Sequence, residues 1–196
     1  INYFLLFMVG AAFLFSFSRG AIVASIGIVL FALLLNKNYK ALLFIFSSFI
    51  LSTLSLLYFG SEEIRYLIID TLKFENTSSL GHLVEWIEGI HSIFENPLGI
   101  GLAMSGNASG VDQAIKVGGE NQFLIFGVQM GFASIVIYLL ILFYIIKRSS
   151  YVYLNTSNYQ KHISFIVACT KFGLLLPLLT ANAELYLFVS LATWFF

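Results

Sequence analysis

Arg19, His82 and Glu120 are the side chains whose type and setting could carry chemistry. Arg19 lies in the triplet Ser18-Arg19-Gly20 between two apolar runs. There a guanidinium can anchor a helix by reaching for the interface, or it can grip a phosphate through two parallel hydrogen bonds. His82 lies on a helix that is only half apolar. It can be simply packed and hydrogen-bonded, or, when protonated, it can place charge beside a departing anion. Glu120 follows Val117-Gly118-Gly119 and opens an apolar run. As an acid at a helix start it would stabilise that helix by roughly 0.3–1 kcal/mol; as a base it would take the proton of a reacting hydroxyl. No DxD and no histidine pair at ligand spacing is visible, so neither a metal site nor a cofactor is expected.

Much of this polar chemistry is concentrated in one segment, "SSLGHLVEWIEGIHSIFENPLGIGL", residues 78–102. It holds two of the three histidines, three of the ten acids, a tryptophan and one of the two prolines. A helix near 79–95 is expected, capped by Ser78 or Ser79 and ended by Pro97, which biases Asn96 out of helical geometry. Leu83, Ile87, Ile90 and Phe94 make an apolar stripe, extended by Trp86 and Ile93. Glu85, Glu88, Ser92 and Glu95 fall on the opposite face, expected to be wet. His82 sits at the stripe's edge, and His91, on the other flank, is expected in solvent. Trp86 can be an aromatic interface anchor or a platform for a sugar ring. Glycine-rich stretches follow, "NPLGIGLAMSGNASG" and "VGGEN", whose backbone can fold back tightly over a site.

The elements that must position these residues belong to a membrane protein. Hydrophobic residues are 59 % of the chain and charged residues only 10 %, well below the ~25 % of ordinary soluble domains. The formal net charge is zero, which removes an electrostatic case for nucleic acid. Cys169 is the only cysteine, so no internal disulfide is possible. Residues 3–17 and 21–35 are apolar, and a single helix over both would be ~50 Å long, too long for the bilayer. A break at Ser-Arg-Gly is therefore expected, with further spans at 41–59, 121–146 and 162–181 and a last one starting at 185. Both ends lie in apolar stretches, so a fragment of a larger polytopic protein is expected.

The expected fold is all-α, with about five to six transmembrane helices and one large extracytoplasmic loop carrying a surface helix. Its divisions are 1–59, 60–120 and 121–196. Lys37 and Lys40 mark loop 36–40, and Lys147, Arg148 and Lys161 mark loop 147–161; both are expected in the cytoplasm. Arg19, segment 60–120 and the turn 182–184 then face outward. Lys171 falls near the middle of span 162–181, ~15 Å deep, where a charge costs ~3 kcal/mol or more unless it faces the bundle or a wet cavity. It can help hold an anionic ligand or be satisfied by carbonyls near Pro177. Gln129 and Glu184 are weaker candidates of that kind.

"FSFSRGAIVA", "GHLVEWIEGIHSIFENPLGIGL" and "GGENQFLIFGVQMGF", in this order and with these intervals, resemble the O-antigen ligase and polymerase family. Its members are polytopic glycosyltransferases acting on undecaprenyl-diphosphate-linked glycans outside the bacterial plasma membrane. The resemblance implies that Arg19 is the arginine of the family's "SRG" motif. It also implies that Pro97, Gly99 and Gly101 form its structural "P-x-G-x-G" turn and that Gly131 is the glycine of the following span. Family ligases carry an arginine where this chain has His82 and a "HN" pair where it has Glu120-Asn121; polymerase-like relatives are more similar at both places.

A metal-independent, inverting polymerase is thus the expected activity, joining lipid-linked oligosaccharide repeats. An O-antigen ligase or protein O-oligosaccharyltransferase is the nearest alternative. Arg19 and His82 would meet the leaving diphosphate and Glu120 the acceptor hydroxyl, with Trp86, Asn121 and Lys171 in substrate binding. The lipid bilayer and lipid-linked oligosaccharide are the expected partners, together with other envelope polysaccharide-assembly proteins. A transporter or flippase is the rival class, but it predicts internal repeats of spans, and none is visible.

Overall fold

The structure, a computed structural model, describes residues 19–63, 65, 66, 69, 77–106, 117–180 and 194. The regular elements among them are helices: α1 (Arg19–Leu35), α2 (Tyr39–Phe59), α3 (Thr77–Glu95), α4 (Gln122–Met130), α5 (Phe132–Asn155) and α6 (Tyr159–Leu174), then a 3-10 turn over Pro177–Leu179. Among the described residues three stretches are long and apolar enough to cross a membrane, Tyr39–Phe59, Phe132–Asn155 and Tyr159–Leu179, and Gly20–Leu35 is a shorter apolar helix. The chain is an all-α, multi-pass membrane protein. The expected first and last spans, 3–17 and from 185 on, lie outside the described residues apart from Trp194.

Helices α1, α5 and α6 form the bundle. Where α1 crosses α6, two glycines take the place of side chains: a Cβ on Gly27 would lie 3.2 Å from the Gly173 Cα, and one on Gly173 would strike Ile28 and the Ala24 carbonyl. Small residues let backbones approach closely where lipid supplies no hydrophobic drive. Phe31 and Phe172 stack beside this crossing at 4.1 Å. Nearer the α4 end, Phe123, Tyr138, Leu142 and Leu178 make a buried core. By contrast α2 buries none of its residues, as suits a helix bathed in hydrocarbon.

One expected span is corrected. The apolar run 121–146 is not one helix: it breaks at Gly131, whose φ of 84° ends α4 after nine residues and restarts the chain as α5. The cause lies in the Pro97–Gly101 turn, which wedges into the break. The Pro97 carbonyl accepts from Phe132 N–H at 3.2 Å, while Ile100 and Gly101 donate to the Val128 and Gln129 carbonyls at 2.9 and 3.1 Å. The turn thereby satisfies carbonyls that a helix end leaves unpaired. A Cβ on Gly131 would collide with the Pro97 carbonyl, and one on Gly99 with the Gln129 backbone.

The basic loops are also shorter than expected. Helix α5 runs on to Asn155 and α6 starts at Tyr159, so Lys147, Arg148 and Lys161 ride on helix ends. Asn36 accepts a 2.6 Å hydrogen bond from the Tyr153 hydroxyl, which brings the loop after α1 to the same end of the bundle as the α5–α6 connection. Lys37, Lys40, Lys147, Arg148 and Lys161 therefore cluster at one end. The Gly131 break lies at the far end of α5, ~36 Å along its 24 residues, and α4 folds back from it so that Asn121 lines a cavity with Leu139 and Phe123 packs on Tyr138.

Candidate active site at the α3–α4 junction

Helix α3 runs from Thr77, slightly ahead of the expected Ser78 or Ser79 cap, to Glu95, where Asn96 N–H still donates to the Ser92 carbonyl. It docks on the turn before α4 through glycine. A Cβ on Gly89 would lie 3.1 Å from the Gly118 Cα and 3.2 Å from Leu124, so no larger residue fits without a shift. Gly118 and Gly119 have φ of 90° and 55°, the left-handed region that favours glycine. This docking sets which face of α3 is covered. Gly89 and Ile93 are buried and His82, Glu85, Trp86 and Ser92 half-buried, while Leu83, Ile87, Ile90 and Phe94 stay exposed.

That reverses part of the expected pattern. Glu85 and Ser92 do not lie on a wet outer face; they turn toward the protein, and the apolar stripe is left open. Glu85 folds over Gly119 so closely that a Cβ there would overlap its carboxylate. Its Oε2 is buried and lies 3.5 Å from His82 Nδ1. Glu88, Glu95 and His91 are exposed as expected, with His91 Nδ1 3.5 Å from Glu95 Oε2.

Asn121 and Glu120 divide their work in a way the sequence left open. Asn121 is buried, and its Oδ1 accepts from the N–H groups of Phe123 at 3.0 Å and Leu124 at 3.2 Å. It is the N-cap of α4, so the helix-capping task does not fall to Glu120. Half-buried Glu120 immediately follows the glycine covered by Glu85. Trp86 and Asn121 share the wall of an apolar cavity of about 500 Å³ with Ile90, Leu124 and Leu139. A second apolar cavity of about 500 Å³ lies further along α3, between Ile93, Phe94, Pro97 and Phe132. Ile90, Leu124 and Ile135 line both.

Among the described residues, three buried polar side-chain atoms lack a hydrogen-bond partner: Glu85 Oε2, Trp86 Nε1 and Gln122 Oε1. Each belongs to a residue in or against the 118–122 stretch. Unsatisfied buried polar atoms are rare and mark places where water, an ion or a ligand completes the bonding. Glu85 and Gln122 were missed in the sequence; the glutamine after "GGEN" could have been noticed, but nothing in the helical pattern singles out Glu85. No group of three metal-ligating side chains gathers among the described residues.

Structure therefore brings His82, Trp86, Glu120 and Asn121 to one junction, with Pro97, Gly99 and Gly101 holding the far end of α4. Arg19 and Lys171 lie on the two helices that meet at the α1–α6 crossing. Arg19 opens α1, ~7.5 Å along the axis from Ala24, which touches Gly173. Lys171 is fully buried, with its Nζ 3.7 Å from the centroid of the Trp194 ring. A desolvated ammonium over an indole face gains ~2 kcal/mol from the ring's quadrupole. Gln129 donates to the Ser105 carbonyl at 3.0 Å, which ties the loop after the Pro97–Gly101 turn to α4. Glu184 lies outside the described residues.

No curated protein and no solved structure matches the chain. A family model described as O-antigen ligase matches residues 4–139, more than half of its length. That match takes in Arg19, the whole of α3, the Pro97–Gly101 turn and the α4 junction, and on it the chain belongs to the O-antigen ligase family, whose domain serves surface-polysaccharide assembly.

Proposed function

We propose that the protein is an inverting membrane glycosyltransferase of the bacterial plasma membrane that polymerises polyprenyl-diphosphate-linked oligosaccharide repeats. The acceptor hydroxyl, on a second lipid-linked repeat, attacks the anomeric carbon of the donor. The bond from that carbon to the diphosphate oxygen breaks, and its electron pair leaves with the lipid diphosphate. Glu120 takes the hydroxyl proton, while Arg19 and His82 face the charge that develops on the leaving group. Lys171 adds positive charge deeper in the bundle. Donor and acceptor approach from the extracytoplasmic side, where the α3–α4 junction lies.

The observation that carries this reading is the convergence of His82 and Glu120 on one glycine turn: His82 Nδ1 lies 3.5 Å from Glu85, which covers the Gly119 that precedes Glu120. The two apolar cavities beside α3 suit a polyprenyl chain, whose diphosphate would then lie at the edge of hydrocarbon. Polymerase rather than ligase is favoured by His82 and by "GEN" in place of the histidine-containing pair.

Purified protein in liposomes, given a single lipid-linked repeat as both donor and acceptor, should yield a ladder of polymer. Transfer only to a non-repeat acceptor, such as a lipid-anchored core sugar, would make it a ligase. Movement of the repeat across the bilayer with no new glycosidic bond would make it a transporter and end the catalytic reading.

A further inference from the structure

Two histidine–glutamate pairs lie on α3, and their settings differ. His91 and Glu95 are 3.5 Å apart with side chains 72 % and 63 % exposed. His82 and Glu85 are also 3.5 Å apart, but their side chains are 31 % and 38 % exposed, and Glu85 Oε2 is wholly buried against the Gly119 backbone. The first pair is a solvated surface contact. In the second, the carboxylate lies so close over Gly119 that a Cβ there would overlap it.

We propose that Glu85 is a positioning residue: its carboxylate, clamped over Gly119, accepts the Nδ1 proton of His82 and turns Nε2 toward the substrate. The pairing rests on geometry alone, and its catalytic importance rests on the reading of His82 as a group that meets the donor. Residues three apart on a helix share a face, so the contact needs no distortion. At 3.5 Å the pair is in ion-pair range but longer than a good hydrogen bond. Catalytic hydrogen bonds commonly tighten when substrate binds.

A buried carboxylate oxygen without a donor is costly, and His82 Nδ1 lies 3.5 Å from it. An imidazole bonded at one nitrogen has its other nitrogen defined in both direction and protonation. When neutral, His82 offers a bare Nε2; when protonated, an Nε2–H for a phosphate oxygen. Without Glu85 the ring can swing or change tautomer.

The full chain, labelled with ¹⁵N-histidine and reconstituted in lipid, tests the pairing directly at about pH 8, where an ordinary imidazole is neutral. The His82 signals are identified by their loss in His82→Gln. Wild type should show protonated Nδ1 and bare Nε2; Glu85→Gln should shift the signals toward the other tautomer, and Glu95→Gln should leave them unmoved. In the polymerisation assay Glu85→Gln should lower kcat roughly 10- to 100-fold with little change in KM, the loss typical of removing a histidine's orienting partner. Glu85→Gln should cost nothing further in a His82→Ala background, and Glu95→Gln should behave as wild type.

A wild-type tautomer in Glu85→Gln would overturn the pairing. A shifted tautomer with unchanged kcat would overturn the positioning role. If wild type makes no polymer, the catalytic reading fails while the nitrogen signals still decide the pairing.

Discussion

Two of the close glycine contacts in this protein do different things. At the α1–α6 crossing, Gly27 and Gly173 bring two backbones together among apolar side chains, and the buried Lys171 rests on an indole ring. At the α3–α4 junction, Gly89, Gly118 and Gly119 bring a helix onto a turn, but what they enclose is polar and incompletely bonded. The first contact is a packing device for a chain in lipid. The second leaves an indole N–H and an amide oxygen without a hydrogen-bond partner and holds a buried carboxylate oxygen 3.5 Å from His82 Nδ1. Close approach of backbone marks both places; the unsatisfied polar atoms distinguish the site.

The sharpest way to break this contrast is at Glu120. Glu120→Gln should lower turnover by ~10²–10⁴ at normal donor binding, the range for losing a general base. Because Asn121 caps α4, the variant should fold as wild type, by thermal unfolding in detergent. Glu120→His should recover part of the activity if a histidine can fill the same role; normal turnover in Glu120→Gln would move the base elsewhere.

Gly131→Ala comes next, and it acts on stability. Its Cβ would meet the Pro97 carbonyl at a φ of 84°, so a loss of ~2–4 kcal/mol is expected from backbone strain and overpacking together. Retention of the wild-type melting temperature would contradict the wedge of the Pro97–Gly101 turn. Arg19→Lys retains the charge but not the planar fork, and should lower turnover roughly tenfold or more while inserting normally. Polymer of wild-type yield would reduce Arg19 to an anchor.

A matched pair of small changes compares the two glycine contacts directly. Gly173→Val should destabilise by ~1–3 kcal/mol, through its clash with Ile28 and Ala24. Gly119→Ala should cost only ~1–2 kcal/mol for its left-handed backbone, yet displace Glu85 and depress turnover per folded molecule. If Gly119→Ala is destabilised with undiminished turnover, the two contacts are alike and the second is packing as well.

Much of the architecture could be read without coordinates. Hydropathy located the spans at 41–59 and 162–181 because a ~30 Å hydrocarbon slab demands long apolar runs whatever they pack against. The helix around Trp86 and the stop near Pro97 were legible because they are set by local backbone chemistry. The break at Gly131 was not. A glycine in an apolar run barely changes its hydropathy, and its φ is imposed by Pro97, a partner remote in sequence.

Amphipathic periodicity on α3 was legible, but which face packs was not. In water an apolar stripe must turn inward. Beside a bilayer it can rest on hydrocarbon, so the stripe of Leu83, Ile87, Ile90 and Phe94 stays open while the polar edge with His82 and Glu85 turns inward. Composition and motif order determined that this is a helical membrane protein and singled out an arginine, a histidine and a glutamate as candidates for chemistry. Only tertiary structure decided that Glu85 lies between His82 and Gly119 and that Asn121 caps α4 in place of Glu120. Both outcomes depend on how α3 and the Gly118–Gly119 turn meet, and a contact between segments far apart in the chain leaves no periodic trace in either one.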